Sequence, residues 1–360
     1  MSSKLKEYGY NEFYERQLKE LNISDERLSV GRVIEVQKDL FTNITEYGEK
    51  HAKLKGSLFY NNKVYNEYPT VGDFIIIKHN ENGDDVIYKV LKRKSKFSRM
   101  DSFNEIEQLV ACNFDYVCIM SSLNYDFNLQ RIERYLSIAW ESGAVPIILL
   151  TKSDLCSDSE EKRVEVEGVA PGVKVIVISS INGEGIDEFK GIIKKGETIV
   201  FLGSSGVGKS TLVNTLAGEQ IMKVNGIREI DSKGRHTTTH RQLIMLKNGT
   251  MIIDTPGMRE LQMWVVNEGL DNTFSEIEEI AKGCRFRDCT HEHEPGCAVK
   301  EALENGKISK ERWKNYLKLK REIRFAEIQQ KSRQRDMAKM YKELKTISYT
   351  TKNKKIVKYN

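Results

Sequence analysis

Residues 203–211 read Gly-Ser-Ser-Gly-Val-Gly-Lys-Ser-Thr, between the apolar run Thr198–Leu202 and the helix-forming run Lys209–Gly218. A strand that enters a helix through such a loop is a phosphate-binding loop. Gly203, Gly206 and Gly208 let the backbone close around phosphate oxygens. The loop N–H groups and the helix N-terminus then face the negative charge. Lys209 is placed to reach the β- and γ-phosphates, and the Ser210 hydroxyl to ligate Mg²⁺. Ser204, Ser205, Val207 and Thr211 complete the cradle. The motif requires a mostly parallel sheet with a ligand at the carboxyl ends of its strands.

Further motifs of the same machinery lie on both sides. Asp254-Thr-Pro-Gly257 ends the apolar strand Met251–Asp254. An acid there holds Mg²⁺ through water, and the Gly257 N–H can sense the γ-phosphate. Between the two motifs, "KGRHTTTHRQL" supplies Thr237, Thr238 and Thr239. One of these, with Thr238 preferred, is the expected switch threonine that meets Mg²⁺. Upstream, "LLTKSD" closes a strand with Thr151, Lys152, Ser153 and Asp154. A carboxylate there can accept from N1–H and N2–H of guanine, a pair that adenine lacks, so Asp154 selects GTP. The Lys152 stem can lie over the base. Ser179 and Ser180 end the next strand and fit the loop that offers backbone N–H to the guanine O6. The elements therefore run base reader, base loop, phosphate loop, first switch, second switch. This is a circularly permuted order, which a packed sheet tolerates because domain termini lie close together on the surface.

The remaining chain divides by texture. Residues 5–21 predict one amphipathic helix. From Ser29 to Arg93, five short strand-like runs and the turn pair Asn82-Gly83 predict a small closed barrel. An OB-type barrel is preferred, with an SH3-like barrel as the alternative. "LKRKSKFSRMD" (91–101) reads as a basic linker, and the α/β alternation is expected from Phe114 onward. The stretch 272–283 reads as a helix. Three of the six cysteines crowd into "GCRFRDCTHEHEPGCAV". Cys284, Cys289, His291 and Cys297 make a closed four-ligand set of the structural zinc type, with His293 a competing ligand. The scattered remainder fits a reducing cytosol. Residues 307–360 hold 18 Lys/Arg against five Asp/Glu, a net of +13, while the whole chain carries +5. The basic excess is therefore C-terminal and points to a polyanionic partner. The N-terminus carries no signal-peptide run, and no segment is long and apolar enough for a membrane span.

The permuted order, "GSSGVGKST", "GRHTTT", "DTPGMREL" and the C-x4-C-x-H-x5-C cluster together resemble the ribosome small-subunit-dependent GTPase family, RsgA (also called YjeQ). The resemblance implies a multidomain chain: an N-terminal OB-type β-barrel with a leading helix (1–95), a central α/β P-loop GTPase domain in permuted order (96–265) and a C-terminal helical zinc-binding domain with a basic extension (266–360). It implies a cytoplasmic GTP hydrolase that acts in late maturation of the small ribosomal subunit, is stimulated by that particle and contacts its rRNA. One structural zinc per chain and Mg²⁺ with GTP are the implied cofactors, and a monomer is expected. The position after "D-x-x-G" is Met258, which cannot orient a water usefully. His236 is therefore the expected water-orienting group, with Arg235 the alternative and His240 also near the switch.

Overall fold

The structure, a computed structural model, describes residues 3–21, 25, 27–37, 40–54, 68–80, 84–100, 107–222, 241–254, 267–328, 332 and 335. Two compact units divide the chain: Met1–Trp264 with Asp271–Ser275, and Val265–Leu270 with Glu276–Asn360. Among the described residues, no helix is long and apolar enough to cross a membrane.

In the first unit, helices α1 (Ser3–Glu7) and α2 (Glu12–Glu20) precede a barrel. The single helix expected over 5–21 is broken at Gly9, whose φ is 78°. A Cβ there would stand 2.8 Å from the Gly196 carbonyl oxygen, so only glycine allows the approach. Asn11 then caps α2 by accepting from the Phe13 N–H at 3.0 Å.

The barrel strands are β1 (Leu28–Gln37), β2 (Leu40–Thr45), β3 (Gly48–Leu54), β4 (Phe74–Lys78) and β5 (Asp85–Val90). They pair in the order β1-β2-β3-β5-β4, and β4 returns to β1, which closes the OB-type barrel expected from sequence. β4 shows why its apolar run is continuous. Ile75 and Ile77 face the barrel interior with Val33, Phe41 and Ile87. Phe74 and Ile76 face the other way, under Leu5, Tyr10 and Tyr14 of the leading helices.

The stretch read as a linker is not one. β6 (Lys96–Met100) pairs antiparallel with β7 (Glu107–Cys112) in a separate two-stranded sheet. Phe97 is buried and stacks on Phe114, with ring centroids 4.6 Å apart. Its neighbours Lys96, Ser98 and Arg99 hide that one anchor in a polar-looking sequence.

Strands β8 (Tyr116–Ser122), β9 (Val145–Thr151), β10 (Lys174–Ile178), β11 (Thr198–Gly203), β12 (Arg241–Met245) and β13 (Met251–Asp254) form the α/β sheet. The order is β10-β9-β8-β11-β13-β12, all parallel except β12 against β13. The phosphate-loop strand β11 is thus central in space but fourth of these six in the chain, which is the permutation seen as topology. Helices α3 (Leu129–Glu141), α4 (Ser159–Val169), α5 (Ile186–Ile192) and α6 (Lys209–Ala217) accompany the strands. One core joins Met120, Leu149, Ile178 and Phe201 of the strands to Phe189 and Leu212 of α5 and α6.

Barrel and sheet are one hydrogen-bonded layer of eleven strands. The link is β1. Its first half pairs with β4, then its register shifts between Val33 and Glu35, and its end pairs with β12 through Glu35↔Gln242 and Val36↔Arg241. Such a bulge bends a strand enough to serve two partners. Arg32, 1% exposed, sits just before the bend. Its guanidinium donates to the Tyr8 carbonyl at 2.6 Å, the Asn113 carbonyl at 3.0 Å, Thr198 Oγ1 at 2.9 Å and the Gly72 carbonyl at 3.4 Å.

In the second unit, α8 (Ser275–Ala281) follows α7 (Asn267–Thr273), which begins in this unit and ends in the first. The helix expected over 272–283 is therefore interrupted at Phe274, a fully buried ring. Then come α9 (Ala298–Glu304) and α10 (residues 310–328).

Arg32→Lys is expected to destabilise the first unit by roughly 3 kcal/mol or more, because one ammonium cannot span four fixed acceptors. A lower urea midpoint at unchanged slope checks this, and wild-type stability would show that the network contributes little.

Candidate functional site

The carboxyl ends of β8, β9, β10, β11 and β13 share one edge of the sheet, and the motif residues collect there. Thr151 ends β9, and its hydroxyl donates to the Val207 carbonyl of the phosphate loop at 2.7 Å. Two loops separated by 56 residues are tied by that bond. Lys152 then adopts a left-handed conformation, φ 62° and ψ 42°, and turns the chain into the short 3-10 turn Ser153–Leu155. The turn buries the Ser153 side chain, which donates to Glu184, and leaves Asp154 exposed at the rim.

Asp154 is held from behind. The hydroxyl of Ser179, fully buried, donates to Asp154 Oδ1 at 2.6 Å. Ser179 Oγ also accepts from the Ile181 N–H at 3.2 Å. The carboxylate is thereby oriented, and an ionised carboxylate has lone pairs on both oxygens for further N–H donors. Sequence reasoning placed Ser179 in the base loop for its backbone; its side chain, in addition, holds Asp154. Ser180 follows it, half-buried. Glu184 was not singled out, and no local motif marks it.

The phosphate loop leaves β11 at Gly203, where a Cβ would meet the Met120 carbonyl oxygen at 2.7 Å. Gly206 and Gly208 take φ of 75° and 104°, with nothing within 4 Å of where a Cβ would point. The backbone therefore curls without side chains in the space that a phosphate needs. Ser205 is exposed, Val207 is buried as the loop's anchor, and Ser210 and Thr211 are half-buried in the first turn of α6. Lys209 Nζ lies 3.2 Å from Asp254 Oδ1. The two groups that would flank a Mg²⁺–phosphate pair thus face each other, each the other's counter-charge.

Asp126, in the loop after β8, is a residue that sequence reasoning missed. It accepts from the Ser204 hydroxyl at 2.6 Å and pairs with Arg131 at 2.8 Å. Burial works against its charge, and the Ser204 and Arg131 contacts outweigh it, so its carboxyl sits below the ordinary range. Asp126 thus buttresses the phosphate loop at Ser204, as Thr151 does at Val207. Gly257, Arg235, His236, Thr237, Thr238, Thr239, His240 and Met258 lie outside the described residues.

In the second unit, Cys284, Cys289, His291 and Cys297 place their ligand atoms within 4.8 Å of one another. His291 Nδ1 is 3.6 Å from Cys284 Sγ and 3.4 Å from Cys297 Sγ, and those sulfurs are 4.0 Å apart. A tetrahedral zinc with Zn–S of about 2.3 Å and Zn–N of about 2.0 Å spaces its ligands by about 3.5–3.8 Å. The cluster fits that ion and has no position left for a substrate. His293 is exposed and is not part of the group. His291 has a φ of 63°. Glu294 stabilises this turn by accepting from the Thr290 N–H at 2.9 Å and the His293 N–H at 3.1 Å. Burial, then the Lys320 charge, lowers the His291 pKa and favours the neutral imidazole that a metal requires.

This fold and this edge define a circularly permuted P-loop GTPase with an appended Cys/His metal cluster. The sequence model of the RsgA GTPase family matches residues 90–264. The chain is 48% identical over 321 residues to the small ribosomal subunit biogenesis GTPase RsgA 2 of Listeria monocytogenes, covering 89% of this chain and 90% of that protein. It is 44% identical over 311 residues to RsgA 2 of Lactiplantibacillus plantarum, covering 86% and 87%. The chain belongs to the RsgA GTPase family. Its structure resembles YjeQ from Thermotoga maritima with a TM-score of 0.62 at 28% identity, over 82% of this chain and 98% of that one. It also resembles YloQ, described as a circularly permuted GTPase, with a TM-score of 0.60 at 24% identity over 84% and 97%. A model of ABC transporters matches residues 186–354. That span takes in the phosphate loop, which many NTPases share, and excludes Thr151 and Asp154.

Two outcomes follow from this geometry. Asp154→Asn is expected to weaken GTP binding by about tenfold or more and to favour xanthosine triphosphate, from the roughly 1–3 kcal/mol of a mispaired polar edge. Ser179→Ala is expected to shift GTP affinity the same way by less, and titration with both nucleotides checks the pair. Cys289→Ser, or chelation, is expected to lower zinc below one ion per chain and to loosen the second unit while sparing nucleotide binding. Metal analysis beside a GTP titration reads both.

Proposed function

We propose that this GTPase acts in late maturation of the small ribosomal subunit, hydrolysing GTP to GDP and phosphate with stimulation by that particle. Both relatives cited above carry small-subunit biogenesis in their names and match this chain over most of its length. The observation that carries the reading is the shared edge: a fixed carboxylate at Asp154, an open phosphate loop and the Lys209–Asp254 pair, on strands that run in permuted order.

In this reading Thr151, Lys152, Ser153, Asp154, Ser179 and Ser180 form the guanine side of the pocket. Gly203 to Thr211 cradle the phosphates, and Ser210 and Asp254 serve Mg²⁺, with Gly257 at the γ-phosphate. The chain would work in the cytoplasm as a monomer, with functional divisions at 1–95, 96–265 and 266–360. Barrel and basic C-terminal region would contact rRNA, largely through phosphates.

Intrinsic turnover would be slow, since Met258 supplies no hydrogen bond to an attacking water. His236 is the proposed water-orienting group, with Thr238 on Mg²⁺ and Arg235 as the alternative charge. A positioned imidazole contributes about 10²–10⁴ in rate. The test is steady-state GTP turnover with small subunits, with large subunits and with neither. Stimulation by small subunits alone is expected. Equal turnover in all three would mean that the nucleotide is a structural or sensing ligand. His236→Ala is expected to abolish stimulation while both GTP and small-subunit binding persist, and full stimulation in the variant removes His236 from the mechanism.

A further inference from the structure

Helix α10 has two faces of opposite character. Tyr316, Leu319 and Ile323 are each 3% exposed or less and form its inward face. On the other side, Lys314, Lys318, Arg321, Phe325 and Ile328 follow the spacing 4-3-4-3, which keeps them on one stripe. All five are exposed, Phe325 at 63% and Ile328 at 58%. Arg335, also helical and exposed, falls on the same spacing seven residues after Ile328. Between Lys314 and Ile328 no acidic residue falls on that spacing; Glu311, exposed, stands one turn before the stripe begins. The three cations have no ion-pair partner among the described residues, whereas Arg312 on the same helix pairs with Glu276.

A lone exposed apolar residue is ordinary, but an adjacent Phe–Ile pair at the end of a row of unpaired cations is not. From Lys314 to Ile328 the stripe is roughly 21 Å long at 1.5 Å per residue. We propose that this stripe is a docking rail for an RNA helix. Lys314, Lys318 and Arg321 would lie along the phosphates, and Phe325 with Ile328 against sugars and base edges of the shallow minor groove. The chemistry favours RNA over a protein groove. A protein-binding helix carries its apolar anchors along the whole stripe, whereas here three positions in a row are cationic. The inference rests on the proposed rRNA contact and narrows it to one face of one helix.

The test uses the full-length, zinc-loaded protein, purified small subunits and a protein-free RNA hairpin, with affinities measured across a salt series. Lys314→Gln/Lys318→Gln/Arg321→Gln is expected to weaken both complexes about tenfold to a hundredfold at 0.1 M salt. It should also flatten the slope of log affinity against log salt by about two to three. Phe325→Ala/Ile328→Ala is expected to weaken both about fivefold or more with the slope unchanged. All of these side chains are exposed, so zinc content, melting temperature and GTP affinity should stay at wild-type values, which separates docking from folding. Unchanged hairpin affinity and slope in the triple variant overturns the proposal. So does a loss confined to small subunits, which would place a ribosomal protein on the stripe. If wild-type protein binds neither small subunits nor their stimulatory surface, the functional reading fails. If it binds them and the variants bind equally, only the rail fails.

Discussion

The first unit is organised around a cation that burial should penalise. Arg32 is out of water and, among the described residues, has no carboxylate in direct hydrogen-bond contact; its oxygen acceptors are three carbonyls and a hydroxyl, and it also donates to the Met251 sulfur at 3.3 Å. Burial lowers its pKa, with Tyr14, Asp115 and Asp73 the leading opposing influences. A guanidinium offers five donors in a rigid plane, so it can satisfy acceptors from separate segments at once. Those acceptors belong to the end of α1, the turn before β4, the turn before β8 and the first residue of β11. Bringing together segments so far apart in sequence requires that each be correctly folded already. The arginine therefore acts as a check on assembly as much as a source of stability. The neighbouring Asp73–Arg93 pair, bidentate at 2.7 Å, closes the same joint with a matched charge.

The edge that carries the phosphate loop is held together by contacts between strands that are not neighbours. The turn at Lys152–Asp154 and the phosphate loop come from β9 and β11, with β8 between them in the sheet. The Thr151–Val207 bond spans that gap directly. At the start of the loop, Asp126 takes the Ser204 hydroxyl. The loop is held at Ser204 and at Val207 by a charged and a neutral hydrogen bond, and the glycines Gly206 and Gly208 stand clear of other atoms. Side-chain oxygens thus supply the order that an apolar core cannot supply to a polar loop.

Much of this was legible in the sequence, because the chemistry that phosphate and zinc require tolerates few residue types. The phosphate loop, Asp154 and Asp254 were read from motif and strand context, and the four Cys/His from their spacing; the fold gathers the first set on one edge and the second in one cluster. What escaped notice depends on contacts distant in sequence. Asp126, Glu184 and Glu294 look like ordinary surface acids until the fold delivers a hydroxyl or an N–H to each. Ser179 was singled out for its place in the loop, and a strand end does not reveal that its hydroxyl turns to Asp154. β6 was hidden because one buried Phe97 outweighs three polar neighbours. The break at Gly9 rests on a left-handed glycine with local capping bonds, Gly9 N–H to the Lys6 carbonyl and Tyr10 N–H to the Leu5 carbonyl, inside a run whose apolar periodicity continues past it.

The pairing of β1 with β12 has a consequence for recognition. An outermost strand presents unpaired N–H and C=O groups to which another protein can add a strand. In this sheet that position beside β12 is filled by the chain's own barrel. The barrel behaves as a ligand tethered at high effective concentration, so an outside strand would have to displace a competitor that never diffuses away. The register runs Glu35, Gln242, Asp254 across three neighbouring strands. The barrel is therefore only one strand, β12, removed from the acid that faces Lys209.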